Sequence, residues 1–207
     1  MRPEPPSDYS GRSSRITALR RARPGWVAVE LGGEPWRTVP DAVVVRCGLR
    51  TGLELERPLA REVGRELRRA QALGDATRAL RARPLSEQRL RERLRARGVA
   101  REAERSALAT LSDAGFVDDA RLAEGRAAAL AERGWGDAAI AARLAGEGIP
   151  AELAGAAVSS LAPERDRAAR VATSTSDPRK AWALLARRGF DAETIDAVLG
   201  PLDEGAP

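Results

Sequence analysis

Two pairs of adjacent like charges mark where this chain could act on something. Asp118 and Asp119 lie three residues after Gly115, and Arg187 and Arg188 stand directly before Gly189. Arginine is the preferred interface cation, because its forked donors match carboxylates and phosphates. Carboxylates could serve acid–base chemistry, yet no convergent acid–base constellation can be named in the sequence. Histidine is absent, which removes the commonest general base, the commonest zinc ligand and most nucleophilic triads. No phosphate-binding loop of the type GxxxxGK followed by Ser or Thr occurs. The inventory points to recognition without catalysis, and it implies no cofactor and no metal.

The elements that must position these residues follow a repeated pattern. Leu90, Leu94, Gly98, Val99, Leu108 and Leu111 recur as Ile140, Leu144, Gly148, Ile149, Val158 and Leu161, an offset of 50 residues. After a further 41 they recur as Ala181, Leu185, Gly189, Phe190, Leu199 and Leu202. Each copy reads as helix, glycine stop, helix. The glycine can take the left-handed conformation that ends a helix, and the apolar residue after it packs back on the last turn. A further helix precedes each copy, near 76–83, 118–132 and 163–173. The third copy is shortened, and Ala181 stands where the others carry Leu90 and Ile140, with Trp182 beside it to supply volume. Repeats of this length stack into arrays whose output is an extended binding surface.

The expected fold is mainly α: three tandem three-helix repeats in a curved elongated array, after a small β-containing N-terminal module. A disordered tail is expected over 1–14 and a β-rich module over 15–58, with strands at Trp26–Leu31, Trp36–Val39 and Val43–Val45 around a Gly32-Gly33 turn. A linking helix spans 59–75, ended by Gly74, with Asp75 capping the first helix of the repeats. The repeats occupy 76–117, 118–162 and 163–202, and 203–207 is an acidic tail. Aromatic content of 3% means a core of Leu, Val, Ile and Ala. No run approaches the roughly 18 apolar residues of a membrane span, and the N-terminus carries no hydrophobic signal core. Cys47 is the only cysteine. It reads as a small buried apolar residue in a cytoplasmic protein.

Net charge is +5, and Lys180 is the single lysine. From Arg61 to Arg105 there are 14 arginines against 7 acidic residues. Such a band could follow a phosphate backbone or an acidic protein groove. Equally, it could be a solvated helix face of Glu–Arg pairs. Arg91, Arg93, Arg95 and Arg97 spread around their helix and cannot all line one surface.

The segment from Leu111 through Gly115, Phe116, Val117, Asp118, Asp119 and Arg121 to Ala123 closely resembles the regulatory protein RecX family. So do Ser86–Leu90 leading to Leu94 and Gly98, and Arg187-Arg188-Gly189-Phe190. The resemblance runs from about Arg15 to Leu202. It implies a monomeric regulator without catalysis, lying in the groove of the RecA filament on single-stranded DNA. It also implies restraint of filament growth, ATP hydrolysis, strand exchange and co-protease activity, in DNA repair, homologous recombination and the SOS response. Weak direct DNA contact is a further possibility. Where many members carry lysines before the final motif, this chain has Arg179 and Lys180.

On this reading Arg187, Arg188, Arg93, Arg97, Arg121, Asp118 and Asp119 are the candidate partner contacts. Asp118 also reads as a helix cap, Asp119 as a favourable charge at the helix start, and Arg121 as a partner for Asp118. Reversal of Arg187 and Arg188 together to Glu is expected to leave folding intact. Leu90, Leu94, Gly98, Ile140, Leu144, Gly148, Leu185, Gly189 and Phe190 are structural. Trp135, between Gly134 and Gly136, reads as a plug between units. Two other readings stay open: an arginine-rich helical repeat binding nucleic acid directly, and a protein–protein scaffold unrelated to recombination.

Overall fold

The computed structural model describes residues 15–200. The tails expected over 1–14 and 203–207, and Leu202 of the third copy, lie outside the described residues.

Three antiparallel strands open the fold in the order β1 (Ile16–Arg23), β2 (Trp26–Leu31) and β3 (Glu34–Pro40). Gly32 and Gly33 both have positive φ, the backbone that a tight hairpin turn needs. The first strand was not legible: its arginine-rich ITALRRAR alternates poorly, and a register shift between Ile16 and Ala18 breaks its period. Val43–Val45, expected as a strand, belongs instead to a short helix, α1 (Asp41–Arg46). The β-branched run loses because Val43 and Cys47, one helical turn apart, both reach the core while Val45 faces solvent. Ile16, Val29, Val39, Val43, Leu49 and Leu55 close this core on Val63 and Leu67 of the next helix.

That helix, α2, runs unbroken over Arg57–Ala82, 26 residues, about 39 Å at 1.5 Å per residue. Gly74 therefore does not end a helix, contrary to expectation, and Asp75 inside α2 pairs with Arg78 and Arg97 rather than starting a new one. The φ of Gly74 is not positive, and the buried stripe Val63, Leu67, Ala72, Ala76, Ala79 continues across it. Tertiary burial outweighs the roughly 1 kcal/mol that a mid-helix glycine costs. The two halves of α2 serve different cores. Val63 and Leu67 pack under the sheet, while Ala76 and Ala79 pack with Leu90, Leu94, Leu108 and Leu111.

Eight more helices follow among the described residues: α3 (Glu87–Ala96), α4 (Arg101–Asp113), α5 (Asp119–Glu132), α6 (Asp137–Gly146), α7 (Ala151–Ser159), α8 (Glu164–Ala172), α9 (Pro178–Arg187) and α10 (Ala192–Leu199). Gly98, Gly148 and Gly189 follow α3, α6 and α9 with φ of 71°, 76° and 79°. After each, the next residue's N–H returns to the carbonyl five residues back: Val99 to Leu94, Ile149 to Leu144 and Phe190 to Leu185, at 3.1, 3.1 and 3.2 Å. This is the glycine-ended helix stop of the sequence pattern. Later apolar clusters centre on Ile140, Leu144 and Ile149, then on Leu185, Phe190 and Ile195.

Candidate partner-binding surfaces

The paired aspartates have separate structural duties. Asp118 is the N-cap of α5, and its carboxylate accepts from the Arg121 backbone N–H at 2.9 Å. The Arg121 guanidinium donates to the Gly115 carbonyl at 2.7 Å and lies 3.7 Å from the Asp118 carboxylate. Asp119 turns the other way and accepts from the backbone N–H of Glu87, the first residue of α3, at 2.9 Å. Burial pushes the Asp119 carboxyl up from its ordinary pKa, with the Glu87 amide opposing. Glu164, first in α8, does the same for α6 through the Asp137 N–H at 2.6 Å.

The arginine pair also divides. Arg187 is exposed and forms no ion pair among the described residues. Arg188 reaches back to the end of α5, donating to the Arg133 and Gly134 carbonyls at 3.3 and 3.5 Å. Its own carbonyl accepts from the Gly136 N–H at 2.9 Å. Reversing both charges would therefore disturb packing at Arg188. Arg93 is exposed without an ion pair, whereas Arg97 lies 3.3 Å from Asp75. The structure places Arg93 and Arg97 on α3 and its cap, Arg121 on α5, and Arg187 and Arg188 at the end of α9. No hydrogen bond joins the three groups among the described residues.

Part of the arginine band is consumed internally. Arg95 makes a two-pronged contact with Glu104, at 2.9 and 3.1 Å, and Glu104 is 1% exposed. Arg69 bridges Glu66 and Glu102, each at 2.6 Å. Arg81, Arg83, Arg93, Arg101 and Arg105 carry no ion pair among the described residues.

Three contacts that hold the helices together escaped sequence reasoning. The Ser86 hydroxyl, which caps α3 by accepting from Arg89 N–H, also donates to the Glu147 carbonyl at 2.6 Å. The cap alone was readable, since serine three residues before the helix interior is a common start signal. Arg167, 2% exposed, donates to the Ala162 and Trp135 carbonyls at 3.0 and 2.8 Å and contacts Asp137. Nothing in its neighbourhood distinguishes it from a surface arginine. Trp135 is half-buried against the Ile140–Leu144 cluster, with Arg143 stacked 3.6 Å above its ring centre. Among the described residues no helix is long and apolar enough to cross a membrane, and no cluster of three acidic, Cys or His residues could hold a metal ion.

No family model matches the sequence. Individual proteins do. The regulatory protein RecX of Stenotrophomonas maltophilia is 38% identical over 120 residues, covering 53% of this chain and 74% of that protein. That of Chromohalobacter salexigens is 38% identical over 130 residues, 58% of this chain and 86% of that one. A crystal structure of regulatory protein RecX shares the fold with a TM-score of 0.76 at 18% identity, covering 89% of this chain and 98% of that chain. RecX from Lactobacillus salivarius gives 0.58 at 16% identity, over 64% and 94%.

Proposed function

The chain belongs to the RecX family of regulatory proteins, and from that premise we propose that it binds the RecA filament on single-stranded DNA and mostly inhibits it. The regulated activities would be filament growth, ATP hydrolysis, strand exchange and co-protease function. It acts by binding, as a cytoplasmic monomer without catalysis. Its working part is an array of three three-helix units, at 76–117, 118–162 and 163–202, carried by the module at 15–58 and the helix segment 59–75.

One observation carries this reading. The C-cap carbonyl of α6, at Glu147, is held by Ser86 at the start of α3, and the C-cap carbonyl of α9, at Arg188, is held by Gly136 at the start of α6. The same step from one unit to the next occurs twice, supporting a curved row that can meet successive subunits of a repeating partner. Arg187 and Arg93, exposed and without ion pairs among the described residues, are the outward contacts, with Arg97 at the cap of α3 and Arg121 on α5 as further ones. Asp118, Asp119 and Arg188 act by holding these surfaces in place.

The test is ATP hydrolysis by a pre-formed RecA filament on single-stranded DNA, with this protein titrated in below one copy per RecA. A fall at substoichiometric amounts is expected; unchanged hydrolysis up to equimolar amounts removes the reading. The arginines without ion pairs favour a second one, direct binding to DNA phosphates. In that case affinity for bare duplex DNA should fall about a thousandfold or more between 50 and 200 mM salt, as for a protein making six to ten phosphate contacts.

A further inference from the structure

Between the C-terminal half of α2, the end of α4 and the outer side of α5 lies an open groove of about 620 Å³. Leu85 and Leu111 form its buried floor, and Leu80 and Leu122 extend it. Phe116 stands on its rim with 69% of its surface exposed. That exposure is abnormal for its position. Phe116 follows Gly115, whose φ is 71°, and its N–H closes on the Leu111 carbonyl at 2.8 Å. The apolar residue after such a stop usually packs back on the helix. Here Val117 takes the interior place, 6% exposed, and joins the α2–α4 cluster. The ring is left as one wall of the groove, where burial by another molecule would remove a large apolar area from water.

The polar lining is cationic. Arg81, Arg121 and Arg126 border the groove, against Asp118 as the single carboxylate. Arg81 has no ion pair among the described residues. The Asp118 carboxylate lies 3.7 Å from Arg121, a loose contact. Arg126 pairs through its buried Nε with the Glu147 carboxylate at 3.2 Å, and its side chain stays 40% exposed. The unpaired Arg81 and the partly exposed Arg126 thus stand beside an aliphatic floor.

We propose that this groove binds a short segment of a partner protein in which an apolar side chain is flanked by carboxylates. The apolar group enters against Leu85, Leu111 and Phe116, while the carboxylates meet Arg81 and Arg126. A nucleic acid fits less well. The groove offers one aromatic ring and an aliphatic floor where bases need stacking faces, and Asp118 opposes phosphate. The proposal rests on this geometry alone and stands whether or not the RecA reading holds.

The experiment titrates the full ¹⁵N-labelled chain with a short capped synthetic peptide carrying leucine and phenylalanine between glutamates, following amide shifts by NMR. Saturable shifts confined to groove residues are expected. Phe116→Ala and Arg81→Glu, both at surface positions and checked for folding in the same spectra, should each weaken binding about tenfold or more. Absence of saturable binding, equal binding of a peptide with lysines in place of the glutamates, or indifference to both substitutions would overturn the proposal. Shifts of the same residues by oligo-dT but not by the peptide would overturn it in favour of nucleic acid. Concentration-dependent shifts without peptide would assign the groove to a second copy instead. Binding only by a chain ending at Gly200 would assign it to the chain's own acidic end.

Discussion

At the α3–α6 junction the Glu147 carbonyl accepts from a side chain, the Ser86 hydroxyl; at α6–α9 the equivalent Arg188 carbonyl accepts from a backbone, the Gly136 N–H. A hydroxyl holds the two helices at arm's length, and the first junction is completed by long side chains: Gln88 against Gly148, Arg89 to the Gly146 carbonyl and Arg126 beside Glu147. A direct backbone bond brings the chains much closer. A Cβ on Gly136 would land on the Gly189 carbonyl, and one on Gly189 would meet Ala139. The grooves differ accordingly. Leu122, four residues past the Asp118 cap, leaves the first groove apolar and open. Arg167, four residues past the Pro163 cap, lines the second groove with a buried guanidinium, joined by Arg188, so this groove of about 580 Å³ differs in its polar lining and not in its room. Closeness of backbones makes a fixed joint beside an arginine-lined groove, and side-chain spacing goes with an apolar one.

The comparison can be broken most severely at the helix common to both joints. Leu144 on α6 is 0% exposed, so Leu144→Ala should cost about 2–5 kcal/mol in thermal or denaturant unfolding and loosen both sides at once. Gly136→Ala tests the close joint alone. Gly136 has φ of −79°, so the cost is steric, about 1–3 kcal/mol. Hydrogen exchange should accelerate over α8–α10 while α3 and α4 keep their protection. Equal acceleration in both regions would mean that the two joints are not independent.

A third contrast separates the neighbours Arg187 and Arg188. Arg188→Glu should lose about 1–3 kcal/mol, by breaking charge-assisted bonds to the end of α5. Arg187→Glu should stay within about 0.5 kcal/mol of the parent and show its effect only in partner binding. At the looser joint Ser86→Ala should cost about 1 kcal/mol, because a helix cap and the bond to Glu147 go together.

The smallest effect is the most diagnostic. Burial raises the Asp119 pKa, so its contribution is complete at pH below the ordinary aspartate value and is lost as pH rises through the raised one. Asp119→Asn keeps an acceptor for the Glu87 N–H and removes the buried charge. Its melting temperature relative to the parent should therefore be more favourable at pH 7 than at acidic pH. The opposite slope would mean that the bond to α3 depends on the negative charge.

Much of this was visible beforehand. The glycines after α3, α6 and α9, the cap at Asp118 and the hairpin at Gly32-Gly33 are local devices, written in a few consecutive residues. The strand β1, the helix at Val43–Val45 and the continuity of α2 through Gly74 were missed or reversed, because each is decided by which face meets a core built elsewhere. The candidate contacts show the same division. Arg187 and Arg188 are equivalent as letters, and the distant carbonyls of Arg133 and Gly134 distinguish them.

What the sequence by itself determined is the punctuation of this chain and its apolar rhythm, since left-handed glycines and helix-spaced leucines act over one or two turns of backbone. What only the tertiary structure decided is how the pieces meet: that Asp119 caps a helix 32 residues away, that Arg167 is buried, and that Phe116 is not. Those outcomes depend on which surfaces come within bonding distance. That is set by the packing of elements far apart in the chain, which no short window of residues contains.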